Sequence, residues 1–195
     1  MKTRFDKIYW ENKYQEKATG WDIGYVSTPL STYFDQITNK ELKILIPGGG
    51  NCYEAEYLFE KGFKNVFVID IAEQPLKNLK ARFPNFPDSH LIFDDFFNHQ
   101  GKYDLIVEQT FFCALDPVLR KKYVEKMVGL LSEKGKLAGL LFDFELTGEG
   151  PPFGGSKEEY LQLFPPYFMI KKLERCYNSI KPRAGKELFF IFEKK

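Results

Sequence analysis

Short apolar runs alternate with amphipathic stretches along the chain, and that alternation predicts a parallel α/β sheet. LKILI at 42–46 predicts the first strand, followed by glycines and a helical pattern over 53–61 that Gly62 closes. VFVID at 66–70 predicts the second strand, and the helix behind it runs to Phe83, where Pro84 stops it. Shorter strands are expected at 91–93 and 103–108. Asp116 and Pro117 supply an N-cap and a proline at the first helical position, opening a helix through Leu131. A fifth strand is expected at 136–144, and Ser156 with Glu159 forms the capping box of a short helix. The end of the chain reads differently. Residues 167–177 and 187–192, joined by a turn containing Pro182 and Gly185, predict an antiparallel pair. The link at 96–102 must run nearly straight: seven residues reach at most about 23 Å, against about 14 Å for three strand spacings.

Composition narrows the classes. A length of 195 residues argues for one domain with a core large enough to need neither disulfides nor metal. With 28 Lys and Arg against 27 Asp and Glu, the net charge of +1 gives no electrostatic footprint for nucleic acid or an anionic membrane. No run approaches the ~18 apolar residues of a membrane span. The first residues, MKTRFDKIYWENKYQEK, mix charges throughout and do not resemble a secretory leader. Cys52, Cys113 and Cys176 are odd in number and widely spaced, which argues against a metal site or disulfide framework and for a reducing cytoplasm. Aromatic residues make up 17% of the chain, enough to enclose a planar or cationic ligand.

Ligands of such sheets bind outside the carboxyl ends of the strands. PGGGN at 47–51 follows the first strand and opens a helix, so bare backbone can approach a ligand there. Asp70 ends the second strand 20 residues after Gly50, the distance at which an acid can hold a ribose diol. Asp95 and Glu108 close the third and fourth strands. Glycines alone could be a tight turn, and Asp70 alone a helix cap; the two in register point to an adenosine ligand. A dinucleotide fingerprint needs a sixth-position glycine, counted from Gly48, where this chain has Tyr53.

Several segments carry a more specific likeness: YWENKYQEKATGWDIGYVSTPL at 9–30, LIPGGGN at 45–51, VIDI at 68–71, DDFF at 94–97, YDLIVEQTFFCALDP at 103–117, GEGPPF at 148–153 and PRAGKE at 182–187. In these the chain resembles the thiopurine methyltransferase superfamily, especially its halide/thiol methyltransferase branch, from about Phe5 onward. The resemblance implies a class I S-adenosylmethionine-dependent methyltransferase. Its fold would be a seven-stranded, mostly parallel sheet with the last strand antiparallel and helices on both faces. Residues 1–40 would form an aromatic lid with the N-terminal helices, and 41–195 the core of the single domain.

Carried over residue by residue, the resemblance implies that Trp10, Tyr14 and Trp21 line cofactor and substrate. Gly48 and Gly50 would admit the methionine part of S-adenosylmethionine. Asp70 would hold the ribose, Ile71 would pack on adenine, and Asp95 with Phe96 would hold the adenine edge. Glu108 and Gln109 would lie beside the methionine part, and Arg120 matches a family arginine at the site. Trp10, Trp21, Phe112, Phe142 and Phe153 would form the acceptor pocket. Three positions depart from the pattern: Cys52 replaces the third glycine, Tyr14 stands where tryptophan is common, and Phe142 replaces a tyrosine near the acceptor.

Each of these residues also has a plainer reading. Trp10, Trp21, Phe111 and Phe112 could be packing residues, Cys113 a small buried hydrophobe, and Arg120, Arg183 and Lys186 surface charges. His90 and His99 precede the third and fourth strands, away from the expected site. The expected reaction moves a methyl group to a small soft nucleophile, a thiol, with no obligatory base; Glu108 and Asp143 are the candidate bases. Halide, thiopurine, oxygen and nitrogen acceptors remain open, as do a nicotinamide-dinucleotide oxidoreductase and a non-catalytic cofactor-binding module. The only expected partner is a small-molecule acceptor, with the chain a monomer or small homo-oligomer.

Overall fold

The computed structural model describes residues 5–195 and divides them into two compact units, one ending at His99 and the other spanning Gln100–Lys195. In the first unit, α1 (Lys7–Gln15) is opened by Asp6, whose carboxylate accepts from Tyr9 N at 3.0 Å. Pro29 sits in the first turn of α2 (Thr28–Asp35), where a missing N–H is harmless. Then come β1 (Ile44–Pro47), α3 (Tyr53–Glu60), β2 (Val66–Asp70), α4 (Glu73–Arg82) and β3 (Leu91–Phe93). β1 pairs with β2 and β2 with β3, both parallel. β1 is buried along its whole length, which explains why its sequence is a continuous apolar run rather than an alternation.

The second unit holds β4 (Tyr103–Gln109), α5 (Arg120–Leu130), β5 (Leu131–Phe142), α6 (Lys157–Leu163), β6 (Phe168–Arg175) and β7 (Glu187–Lys194). β4 and β5 are parallel, and β7 lies antiparallel between β5 and β6. The seven-stranded sheet has the order β3-β2-β1-β4-β5-β7-β6 with only β7 reversed. This is the expected class I methyltransferase-like arrangement. Aromatic rings fill much of the second core, where Phe164 meets Phe192 at 4.7 Å and Phe190 meets Phe192 at 4.5 Å.

The 96–102 link does not run straight but begins with a turn in which Asn98 N donates to Asp95 O at 2.8 Å, and three further features differ from the sequence expectation. The helix expected from Asp116 begins as a 3-10 turn (Pro117–Leu119) before α5, although Asp116 does cap it by accepting from Val118 N at 3.0 Å. β5 starts at Leu131 rather than Lys136 because the chain passes straight from α5 into the sheet. Leu131 pairs with Tyr103 and Lys136 with Leu105, so residues 132–135 bulge from the ladder. The capping box is split: Ser156 accepts from Glu159 N at 3.2 Å, but the Glu159 carboxylate pairs with Arg120 instead.

Gly139 fixes the close fit of β4 on β5. A Cβ there would lie 1.9 Å from the Glu108 carbonyl oxygen, so no side chain can be accommodated without moving the strand that carries Glu108.

Candidate active site

The first unit carries the residues expected at the cofactor from Trp10 to Phe96, whereas Glu108, Gln109 and Arg120 lie in the second. The turn after β1 takes positive φ at Gly48 (57°) and Gly50 (54°), which glycine adopts without strain. Gly49 is packed closely: a Cβ there would meet Val68 Cγ1 at 2.7 Å and Cys52 Sγ at 2.9 Å. Asp70 ends β2 and accepts from Gly50 N at 3.0 Å through Oδ2 and from Ala72 N at 2.9 Å through Oδ1. Burial pushes its carboxyl up to about 6, against which these backbone donors work. Two donors leave lone pairs on both oxygens for a ligand diol. Ile71 follows, half-buried. Beyond β3, Asp95 Oδ1 accepts from Phe97 N at 2.8 Å, a local turn that fixes the loop in which Phe96 is buried.

An aromatic cluster stands over this turn. Trp21 meets Trp10 edge-on at 5.5 Å and Tyr14 edge-on at 5.9 Å. The Tyr14 hydroxyl lies 3.2 Å from the position a Gly50 Cβ would take, and Trp21 Nε1 lies 4.0 Å from it. Burial, with the Asp70 charge adding to it, holds that hydroxyl well above the usual tyrosine range. Glycine at 50 therefore lets the rings approach bare backbone beside a buried acid. These observations fit an adenosyl group: a carboxylate for the ribose, exposed backbone, and ring faces and edges that can lie against a cation.

The second unit contributes a different set. Glu108 is fully buried near the end of β4; Oε1 accepts from Phe111 N (2.8 Å) and Phe112 N (2.9 Å), and Oε2 from the Tyr123 hydroxyl (2.5 Å). Burial pushes its carboxyl up to about 7. Its oxygens thus hold the loop after β4, a role the sequence did not reveal because Tyr123 lies 15 residues away on another element. Gln109 ends β4 opposite Leu140. Glu108, Thr110, Phe112, Cys113, Leu140, Leu141, Phe142 and Glu187 line a small pocket, which unites two of the expected acceptor residues, Phe112 and Phe142. Phe153 is buried nearby, donating its N–H to Cys113 O at 2.7 Å. Cys113 itself is buried with its thiol pushed far up, the plain packing role considered above.

The remaining charged candidates are engaged within the second unit. Arg120, 5% exposed, pairs with Glu159 at 2.5 Å, donates to Gly154 O at 2.5 Å and lies over the Phe112 ring at 4.8 Å. Asp143 accepts from Arg175 Nη2 at 2.5 Å and from Lys157 N at 3.3 Å. Arg183 is buried 3.7 Å from Glu187. Lys186 is exposed, its carbonyl accepting from Asp143 N at 2.8 Å. His90 precedes β3 and bonds Val66 O at 3.0 Å through Nδ1. The three cysteines are free and buried, and among the described residues no acidic, His or Cys cluster could hold a metal. No described helix is long and apolar enough to cross a membrane.

Comparison with known proteins agrees with this geometry. The family model described as thiopurine S-methyltransferase matches residues 5–194. The chain is 28% identical over 184 residues to a protein of Arabidopsis thaliana named probable thiol methyltransferase 2, covering 91% of this chain and 81% of that one. It is 27% identical over 185 residues to thiocyanate methyltransferase 1 of Brassica oleracea, with the same coverage of 91% and 81%. Among solved structures, a Burkholderia thailandensis 1,6-didemethyltoxoflavin-N1-methyltransferase with bound S-adenosylhomocysteine shares the fold. Its TM-score is 0.75 at 17% identity, over 97% of this chain and 87% of that one. The chain belongs to the thiopurine S-methyltransferase family and is an S-adenosylmethionine-dependent methyltransferase.

Proposed function

We propose that the chain methylates a small thiol, that Asp70 and the glycine turn of the first unit bind the adenosyl group, and that Phe112 and Phe142 of the second unit line the acceptor pocket. When bound, S-adenosylmethionine supplies a methyl group already activated by its sulfonium. What the chain adds is alignment, exclusion of water and ring surfaces suited to a cation. Asp70 accepts from the ribose hydroxyls with the lone pairs that Gly50 N and Ala72 N leave free. Gly48 and Gly50 offer backbone to the methionine part, Ile71 packs on adenine, Asp95 and Phe96 bound its edge, and Trp10, Tyr14 and Trp21 cover the turn. Glu108, Gln109 and Arg120 are assigned supporting roles: Glu108 shapes the loop after β4, and Arg120 braces it through Phe112. Phe112, Phe142 and Phe153 enclose the acceptor.

One observation carries the choice of a thiol: both candidate bases are already committed. Glu108 accepts three hydrogen bonds, from Phe111 N, Phe112 N and the Tyr123 hydroxyl, and Asp143 is ion-paired with Arg175. An alcohol needs a positioned base, whereas a thiol, with a pKa near 8.5, already has a useful fraction of thiolate at neutral pH. In this reading the acceptor enters as a thiolate, its proton already lost to water, and the aromatic pocket would align its sulfur with the methyl group that S-adenosylmethionine would supply, leaving S-adenosylhomocysteine. The names of the plant relatives, thiol and thiocyanate methyltransferase, support a soft acceptor. A cytoplasmic setting fits the three free cysteines. The test is S-adenosylhomocysteine release across thiols of different pKa. The pH dependence of kcat/KM should move with the thiol, and one inflection fixed for every thiol would mean an enzyme base.

A further inference from the structure

The segment between α1 and α2 carries Trp21 without regular secondary structure of its own. Asp22, the next residue, is its anchor. One carboxylate oxygen turns the segment by accepting from Gly24 N at 2.8 Å; the other accepts from the side-chain amide of Asn51. Asn51 is oriented from its far side: its Oδ1 accepts from Asn78 Nδ2 of α4 at 2.8 Å, which turns its NH2 toward Asp22. Its main-chain carbonyl accepts from Arg82 Nη2 at 2.5 Å. The residue directly after Gly50 thus ties the glycine turn, α4 and the tryptophan-bearing segment together.

From this geometry we propose that Asn51 is a positioning residue, a latch that holds Asp22 and so keeps Trp21 against the glycine turn and slows the escape of the cofactor. The proposal rests on the assignment of that turn to S-adenosylmethionine. Neither Asn51 nor Asp22 need touch the cofactor; they act through Trp21, which meets Trp10 and Tyr14 edge-on. A second tie supports the same fastening, since Glu11 of α1 accepts from Glu73 N at the start of α4 at 2.6 Å.

The pair can be reversed chemically. Asn51→Asp sets two carboxylates face to face and should speed S-adenosylhomocysteine release, followed by tryptophan emission in stopped flow, by about tenfold. The exchanged protein, Asp22→Asn with Asn51→Asp, restores a donor–acceptor pair with opposite polarity and should bring the rate back to within about threefold of the starting protein. A merely structural role would not be rescued by the exchange. Release unaffected in Asn51→Asp, or equally fast in the exchanged protein, overturns the latch. Hydrogen exchange without ligand decides the same point independently. Amides of residues 20–25 should exchange about tenfold faster in Asn51→Ala than in the starting protein, and unchanged exchange overturns the latch. Should the starting protein fail to bind S-adenosylhomocysteine, the cofactor assignment falls, and the exchange data alone decide whether Asn51 fastens the segment.

Discussion

The backbone N–H of Gly50 donates to Asp70 Oδ2 at 3.0 Å, joining the turn after β1 to the end of β2 across 20 residues of chain. That bond sets the acid against bare backbone, where the proposed function puts the ribose. Charge-assisted hydrogen bonds contribute about 1.5–3 kcal/mol each. Asp70→Ala is therefore expected to weaken S-adenosylhomocysteine binding by at least about tenfold in calorimetry, with the fold retained. With its carboxyl pushed up to about 6, affinity should also fall as pH drops through that value, and Asp70→Asn should abolish this dependence.

How much of this was legible in the sequence follows from where each signal lies. Asp70 and Gly50 were readable because strand, turn and helix fix their separation, and β2 (Val66–Asp70) and β3 (Leu91–Phe93) coincide with their apolar runs. The Asp22–Asn51 bond was not readable, because it joins a segment without periodicity to a turn 29 residues away. Likewise Glu159 reads as a capping-box acid, and only the fold brings it to Arg120, 39 residues earlier. The start of β5 was misplaced because SEKG, a turn-like stretch, is absorbed as a bulge inside a continuing strand.

Both tryptophans of the chain, Trp10 and Trp21, belong to the aromatic cluster over Gly50. Intrinsic tryptophan emission therefore reports this region alone. Saturating S-adenosylhomocysteine should shift or quench it. Emission indifferent to the ligand would separate the cluster from the site.

Gly139→Ala should be among the most damaging single substitutions, since its Cβ would stand 1.9 Å from the Glu108 carbonyl oxygen and 2.9 Å from its nitrogen. The β4–β5 ladder must move to admit it. A loss of about 3 kcal/mol or more is expected in urea unfolding, whereas alanine at exposed Gly129, an α5 position with open space around it, should raise stability by about 0.5–1 kcal/mol.

Glu108 gives a pH signature opposite in sign to that of an ion-paired acid. Its carboxyl binds the proton more tightly folded (about 7) than at the ordinary value of 4.5, so its own contribution to stability is full below 4.5 and is lost as pH rises through 7. At about 1.4 kcal/mol per pKa unit the fall is on the order of 3 kcal/mol. Glu108→Gln keeps an acceptor for Phe111 N and Phe112 N and should flatten that slope. Urea melts at pH 5 and pH 7 measure it, and an unchanged slope would remove Glu108 as its source.

Methyl transfer to a thiol without an enzyme base can be decided by mass spectrometry of the product formed from methyl-deuterated S-adenosylmethionine and a panel of thiols, alcohols and amines. A deuterated methyl thioether and one S-adenosylhomocysteine per turnover are expected, with formation retained in Asp143→Asn. Methylation of an alcohol or amine in preference to every thiol, or thioether formation abolished in a folded Asp143→Asn protein, would contradict it.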